Sequence, residues 1–435
     1  MQANLNHFKP NREMALPLPS CITVYALILQ LLHLSSISNN VLTAAKHSYS
    51  ASHHHHRSRH SHSHSPVPNP RLQQAYIALQ AWKHVIYSDP QNLTTNWVGP
   101  SVCNYTGVYC APAPHDPKTR VVAGIDLNHG DIAGFLPNEL GLLTDLALIH
   151  LNSNRFCGIV PETISNLTLL YELDLSNNRF VGPFPTVILS LPTLHFLDLR
   201  FNEFEGPLPS ELFKKNLDAI FVNNNRFTNV LPATLGGSSA SVLVIANNNF
   251  GGCLPPSIAS FAHTLEELLI TNTSLSGCLP PEVGFLYKLR VLDVSDNKII
   301  GPIPYSLAGL AHLEQLNIGH NMMSGLVPEG VCVLPSLKNF TFSYNFFCEE
   351  EGICMNLTSK GIVYDDRGNC LPEKPRQRSE KECRGVNEHP VDCFEYICHG
   401  GGSSFGGQAA AFAPAAMVVP SSSPLLSPSA APSYT

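Results

Sequence analysis

The stretch LDLSNNRFVGPFP, residues 173–185, decides how this chain folds, because it recurs. It returns as LDLRFNEFEGPLP at 197–209 and as LDVSDNKIIGPIP at 292–304. Weaker copies surround these: LNSNRF at 151–156, IFVNNNRF at 220–227, VLVIANNNF at 242–250, LNIGHNMM at 316–323 and FTFSYNFF at 340–347. One frame holds them all. Its last polar position falls at Gly130, Asn154, Asn178, Asn202, Asn225, Asn248, Thr273, Asn297, Asn321 and Asn345, a mean spacing near 24 residues. A period of that size is the signature of a solenoid. In each copy a short strand such as Leu173-Asp174-Leu175 points leucine inward and a polar residue outward. The asparagine amide then bonds the backbone of neighbouring turns, so stacked copies form a ladder of satisfied polar groups. The Gly-x-x-Pro that follows allows a tight bend and an extended return path. A single coil cannot bury its leucines, but a stack shares one core.

The composition agrees with such a repeat. Apolar residues make up 44 % and charged residues only 14 %, against ~25 % charged in an average chain. The 35 prolines argue against a helical bundle or a parallel α/β enzyme core. The net charge is −7; residues 1–70 carry +4, which leaves −11 beyond them. That balance excludes an ordinary nucleic-acid binder, which shows a basic footprint, and it favours cationic partners. No His-Glu-x-x-His and no P-loop occurs, so the reading is a binder rather than an enzyme, with no catalytic residue, no metal centre and no cofactor.

Lys9 and Arg12 precede an apolar run from Ile22 to Leu34, followed by Ser35, Ser36 and Ser38. This run is shorter than the ~20 residues of a membrane span and reads as a secretory signal within residues 1–40. Residues 41–69 are rich in histidine and serine, with eight of the 20 histidines at 47–64, and read as a disordered spacer. Residues 70–120 read as an N-terminal cap. Leu72, Tyr76, Leu79, Trp82 and Ile86 have helical spacing, and a close cysteine pair follows that is expected to bridge as Cys103–Cys110. Repeats fill 121–348, a cysteine-rich tail 349–400, and an Ala/Pro/Ser-rich segment 401–435. The fold class is therefore α/β: a right-handed leucine-rich repeat solenoid of about 10 coils between two caps.

Export makes the 13 cysteines disulfide candidates. Cys253 and Cys278 hold the same repeat position in successive coils, and coils stack at ~4.8 Å, so a Cys253–Cys278 bridge is expected. Cys157 has no cysteine at its place in the coils on either side. Either it forms an intermolecular bridge or stays a buried thiol, or the tail folds back to it. Six glycosylation acceptors occur, at Asn92, Asn104, Asn166, Asn272, Asn339 and Asn356.

The outward strand positions make a row, Asp126, His150, Asp174, Asp198, Phe221, Val244, Leu269, Asp293, Asn317 and Thr341, whose middle is apolar where solvent is expected. Phe196, Arg200 and Phe201 lie beside it, and Glu172, Glu267 and Asp296 join the acidic flanks. An exposed apolar patch with a charged rim marks an interaction site. The candidate binding residues are Asp174, Phe196, Asp198, Arg200, Phe201, Phe221, Val244, Glu267, Leu269, Asp293 and Asp296. The competing reading is that residues 350–400 fold over this patch.

The strings Asn154-Arg155-Phe156-Cys157-Gly158, Gly252-Cys253-Leu254-Pro255 and Gly277-Cys278-Leu279-Pro280, the cap motif Trp97…Cys103-x-Tyr105-x-Gly107-Val108-x-Cys110 and the tail cysteines Cys383, Cys393 and Cys398 resemble those of plant leucine-rich repeat extensins. The resemblance covers residues 70–400. It implies a secreted protein of the cell wall and apoplast that binds basic cysteine-rich peptides of the rapid alkalinisation factor (RALF) type in control of wall integrity and growth. It further implies a homodimer, which would give Cys157 a bonding partner, and contact with wall polysaccharide. The family's region rich in Ser-Pro-Pro-Pro-Pro has no match in residues 401–435, which contain no Pro-Pro pair and read as a remnant of it, in a truncated product or in an extensin-less relative. Two alternatives are a polygalacturonase inhibitor, which shares the solenoid but not the seven cysteines from Cys332 to Cys398, and a metal-binding wall protein acting through the histidine run.

Overall fold

A computed structural model describes residues 69–394 and Cys398. The expected signal segment, the histidine run and residues 401–435 lie outside the described residues.

The repeats stack as a solenoid. One side of it is a twelve-stranded sheet. Its strands are β1 (Val108–Ala113), β2 (Asp116–Asp126), β3 (Leu148–His150), β4 (Glu172–Asp174), β5 (Phe196–Asp198), β6 (Ala219–Phe221), β7 (Val242–Val244), β8 (Glu267–Leu269), β9 (Val291–Asp293), β10 (Gln315–Asn317), β11 (Asn339–Thr341) and β12 (Val363–Asp365). Only β1 and β2 pair antiparallel, as a hairpin in the cap; every later step is parallel and in register. The return side carries a five-stranded and a four-stranded sheet, and short 3-10 turns such as Glu162–Asn166 and Tyr305–Gly309 complete each coil. The middle residues of the three-residue strands, Leu173, Leu197, Ile220, Leu243 and Leu268, are all buried in one core that runs the length of the stack.

The asparagine ladder forms as the spacing predicts. The Asn178 amide donates to the carbonyls of Leu151 in the preceding coil (2.8 Å) and Leu175 in its own (3.1 Å), and its Oδ1 accepts from Phe156 N at 2.9 Å. Asn202, Asn248, Asn297 and Asn321 repeat the pattern. Beside the ladder, Phe180, Phe204, Phe227 and Phe250 stack ring on ring at 6.2, 6.3 and 6.5 Å. The ladder also has a rung beyond Asn345. Asn369, fully buried, donates to Phe342 O and accepts from Phe347 N. With β12 this carries the solenoid one coil past the boundary expected at residue 348.

The N-terminal cap is the helix α1 (Pro70–Val85). Asn69 caps it by accepting from Arg71 N and Leu72 N, and Ala75, Ala78, Leu79 and Trp82 face the first coil. Trp97 stacks on Tyr105 at 5.7 Å and meets Trp82 edge-on at 6.0 Å, while Cys103 and Cys110 are bonded.

The tail departs from expectation. Cys253 bonds Cys398 and Cys278 bonds Cys393, in place of a Cys253–Cys278 bridge. The two repeat cysteines project side by side from successive coils, so a segment lying across both meets each in turn. Gly301 makes room for it: a Cβ there would collide with Cys393 Sγ and crowd Cys278 Sγ. Two further bridges, Cys332–Cys354 and Cys370–Cys383, staple the last coils. The described residues of the tail thus fold back along the Gly-Cys-Leu-Pro edge as far as Cys253. The described tail cysteines bond elsewhere; the Cys157 side chain is 3 % exposed with Sγ 3.8 Å from the Tyr87 hydroxyl.

Candidate functional site

The register of the twelve-stranded sheet places the outward row as the repeat frame requires: Asp126, His150, Asp174, Asp198, Phe221, Val244, Leu269, Asp293, Asn317 and Thr341 are successive partners, and Asp365 extends it. A second outward row runs beside it, with Glu172, Phe196, Ala219, Val242, Glu267 and Val291 at its centre. Where the two rows meet, Phe196, Phe221, Val242, Val244, Leu269 and Val291 form a half-buried apolar patch across β5 to β9. Phe196 and Phe221 touch at 5.9 Å. Because the tail is bonded to the opposite edge of the coils, through Cys253 and Cys278, its described residues leave this face uncovered.

The acidic rim is real on both sides but is not what the sequence led us to expect at its centre. On one flank Glu172 pairs with His150 Nε2 at 2.9 Å, and Asp174 accepts from Ser176 N. On the other, Glu267 is exposed, Asp293 accepts from Asn317 Nδ2 at 3.1 Å, and Asp296 stands exposed 3.9 Å from His320. Asp198, expected among these acids, is 0 % exposed. Burial pushes its carboxyl up to about 7, against the pull of Arg200 beside it and with a further push from Asp174. The reason is the ring of Phe221 on the next strand together with the Arg200 side chain, which folds back so that Nε lies 2.8 Å from Asp198 Oδ2 and the guanidinium sits 4.8 Å from the ring centroid. Asp198 is therefore a support beneath the face and Arg200 the charge presented on it. Phe201 is 43 % exposed at the rim and holds φ at +53°. The equivalent place in other coils mostly takes Asn, Ser, His or Asp, of which Asn and Asp tolerate that left-handed backbone best, and Tyr344 is the other aromatic there.

Sequence reasoning missed a third row. Glu266, Arg290, Glu314 and Lys338 stand one residue or so before the strands at the repeat spacing, which was the available signal. Arg290 and Lys338 both donate to Glu314, and these two cations hold its carboxyl below the ordinary range, Lys338 foremost. They border a cavity of about 260 Å³ with Lys288 and His312. A second cavity, about 430 Å³ and apolar, lies at the tail edge between Leu279, Pro280, Pro302, Pro304 and Phe394. All six glycosylation acceptors are exposed, and Asn339 lies on the sheet face itself, at the start of β11. Asn272 is in the turn after β8 and donates to Asn247 Oδ1. Among the described residues no group of three or more His, Cys, Asp or Glu is placed to hold a metal, and no helix is long and apolar enough to cross a membrane.

A parallel coil stack with an asparagine ladder, a helical disulfide-bonded cap and an open sheet face defines a leucine-rich repeat protein of the plant ectodomain type. Residues 169–191 and 288–310 match the Leucine Rich Repeat sequence model. The HAESA receptor kinase ectodomain of Arabidopsis, solved with a peptide hormone, superposes with a TM-score of 0.60 at 25 % identity over 71 % of this chain and 54 % of that one. A TDR receptor gives 0.55 at 31 % identity over 57 % and 44 %. Closer in sequence are two Arabidopsis thaliana proteins. Pollen-specific leucine-rich repeat extensin-like protein 3 is 67 % identical over 77 % of this chain and 46 % of its own length. Leucine-rich repeat extensin-like protein 6 is 57 % identical over 76 % and 70 %. The chain belongs to the leucine-rich repeat extensin-like family. It spans about half the length of relatives such as the first of these.

Proposed function

We propose that this is a secreted, wall-associated protein whose open sheet face binds a basic, cysteine-rich peptide of the RALF type in the control of wall integrity and growth. The observation that carries the reading is the apolar patch on β5 to β9 with carboxylates on both flanks and the tail bonded elsewhere. Such a surface offers an apolar anchor and orients a cationic partner. Five disulfides suit an oxidising extracellular compartment, and the HAESA ectodomain is a peptide-bound neighbour in fold. A homodimer belongs to the same proposal, on the family resemblance. Sedimentation of the purified protein tests it.

The binding test is calorimetry with a RALF-type peptide and with a polygalacturonase as the competing partner. Reversing Glu172, Asp174 and Glu267 to lysine, with Asp198 left in place because it is buried, is expected to weaken peptide binding at least tenfold. Unchanged affinity, or binding of the polygalacturonase instead, sinks this assignment.

A further inference from the structure

Asp198 and Arg200 have a geometry that simple attraction of a basic ligand does not explain. Asp198 is wholly buried in the middle of a binding face, its Oδ1 accepts from Arg200 N at 3.0 Å, and its Oδ2 has no hydrogen-bond partner, because Arg200 Nε, although 2.8 Å away, lies off the bonding direction. Placing an acid in this way carries a desolvation cost, and what it fixes is the direction of one arginine. The terminal nitrogens of Arg200 form no hydrogen bond among the described residues, and the side chain is 38 % exposed. The guanidinium is held over Phe221, next to Phe196. A planar fork in that setting matches a carboxylate in two-point contact.

Its surroundings are opposite in sign. Measured from Phe221 on β6, Asp174 on β4 and Glu267 on β8 are each two strands away, ~10 Å at sheet spacing. The order along the solenoid is acid, base, acid.

We propose that Arg200 is an anion subsite of the peptide-binding face. It takes a carboxylate of the ligand, and the ligand therefore carries an acidic group with a basic residue on each side, ~10 Å away at strand spacing, together with an aromatic or apolar side chain seated on Phe196 and Phe221. This rests on the peptide-binding reading of the same face. The carboxylate comes either from an Asp or Glu side chain or from a chain terminus, and both offer the same two oxygens.

The test uses random synthetic dodecamers on beads, in one set C-terminally amidated and in another with a free C-terminal carboxylate, incubated with the purified full chain. Peptides captured by the unchanged protein are expected to be enriched in an acidic residue between two Lys or Arg residues, or to come from the free-carboxylate set. Arg200→Gln combined with Asp198→Asn avoids leaving a buried carboxylate unpaired, and is expected to lose the acidic enrichment while keeping the basic one. Asp198→Asn alone, which loosens the hold on Arg200, is expected to weaken the acidic enrichment and keep the basic one. For a captured peptide, changing its Glu to Gln weakens binding about tenfold to the unchanged protein and less than twofold to the double variant. Basic enrichment without acidic enrichment, or acidic enrichment that survives in the double variant, overturns the subsite and leaves the peptide-binding reading standing. Loss of basic enrichment in the unchanged protein overturns both.

Discussion

The two ends of the solenoid are both closed by cysteines, yet by opposite means. At the N-terminal end the bridge Cys103–Cys110 spans 7 residues, and the work of sealing the core falls to α1, Trp82, Trp97 and Tyr105. At the C-terminal end Cys253–Cys398 and Cys278–Cys393 span 145 and 115 residues and draw the tail back over coils laid down long before it. The first end is local and packed; the second is long-range and tied. A chain constrained by a longer loop loses more freedom when unfolded, so the two kinds of closure differ in what they contribute.

The largest expected effect is at the tail. Replacing Cys253, Cys278, Cys393 and Cys398 together by serine removes a closure worth about 5 kcal/mol in the loop-entropy estimate for the outer bridge alone, the nested inner one adding less. Guanidinium unfolding of the secreted protein should move to clearly lower denaturant, and limited proteolysis should cut within residues 385–394, which are largely exposed. Peptide binding on β5 to β9 should persist in the folded variant, since the described tail residues do not line that face. If the midpoint stays put and the tail stays protected, ties other than sulfur hold it.

The same contrast separates what was legible beforehand from what was not. The ladder asparagines, the strand register, the outward row and the cap helix all follow from local spacing, and each appears where spacing put it. The rule that failed was adjacency: Cys253 and Cys278 are neighbours in the repeat frame, and both nonetheless bond to residues over a hundred positions away. Nothing in a 24-residue period records where a non-repeating tail will lie. Asp198 failed for a related reason. The frame assigns it an outward direction correctly, but exposure depends on the bulk of the side chains around it, here Phe221 and the folded-back Arg200. Asn369 was missed because its coil, Val363-Tyr364-Asp365-Asp366-Arg367-Gly368-Asn369, has neither the leucine spacing nor the Gly-x-x-Pro found in most of the others.

The tail also has a polar tie, and it sharpens the comparison at intermediate size. Glu350 is 9 % exposed, with Lys374 Nζ 2.9 Å from its Oε2 and 3.3 Å from Asp366, and the ammonium lies 5.8 Å from the Tyr364 ring centroid. Burial holds the Glu350 carboxyl above its ordinary value, and Lys374 opposes the rise. Lys374→Met leaves a buried acid without its partner, a loss of about 3 kcal/mol near neutral pH. Its sign with pH follows from linkage. Without Lys374 the folded-state value rises further, so the folded protein keeps a proton that the unfolded chain has released. Stability of the variant therefore falls as pH climbs from the ordinary glutamate range toward the raised folded value, and is best preserved at the acid end. Unfolding midpoints at pH 5 and pH 7 check this; a loss equal at both pH values excludes a buried, unpaired Glu350 as the cause. Adding Glu350→Gln should restore most of the stability and remove the pH dependence.

The smallest of these effects belongs to the N-terminal bridge. Closing a loop with a sequence separation of 7 corresponds to about 2.4 kcal/mol by the same entropy estimate, roughly half the figure for the tail. Even this is an upper bound here, because the hairpin is held independently. Trp97 Nε1 donates to Thr106 O at 2.9 Å, Asn96 and Thr106 bond across the loop, and β1 pairs with β2 along its length. Contacts of that kind keep the two cysteines near each other in the native state, and any that survive in the denatured chain reduce what the bridge adds. Cys103→Ser with Cys110→Ser should thus fold, with a midpoint shift smaller than that of the four tail substitutions, whereas Trp97→Ala, which empties a fully buried indole site, should cost more than the bridge does, about 3–5 kcal/mol. If the serine pair proves as damaging as the tail set, the cap is tied rather than packed, and the two ends of the solenoid are closed by the same physics after all.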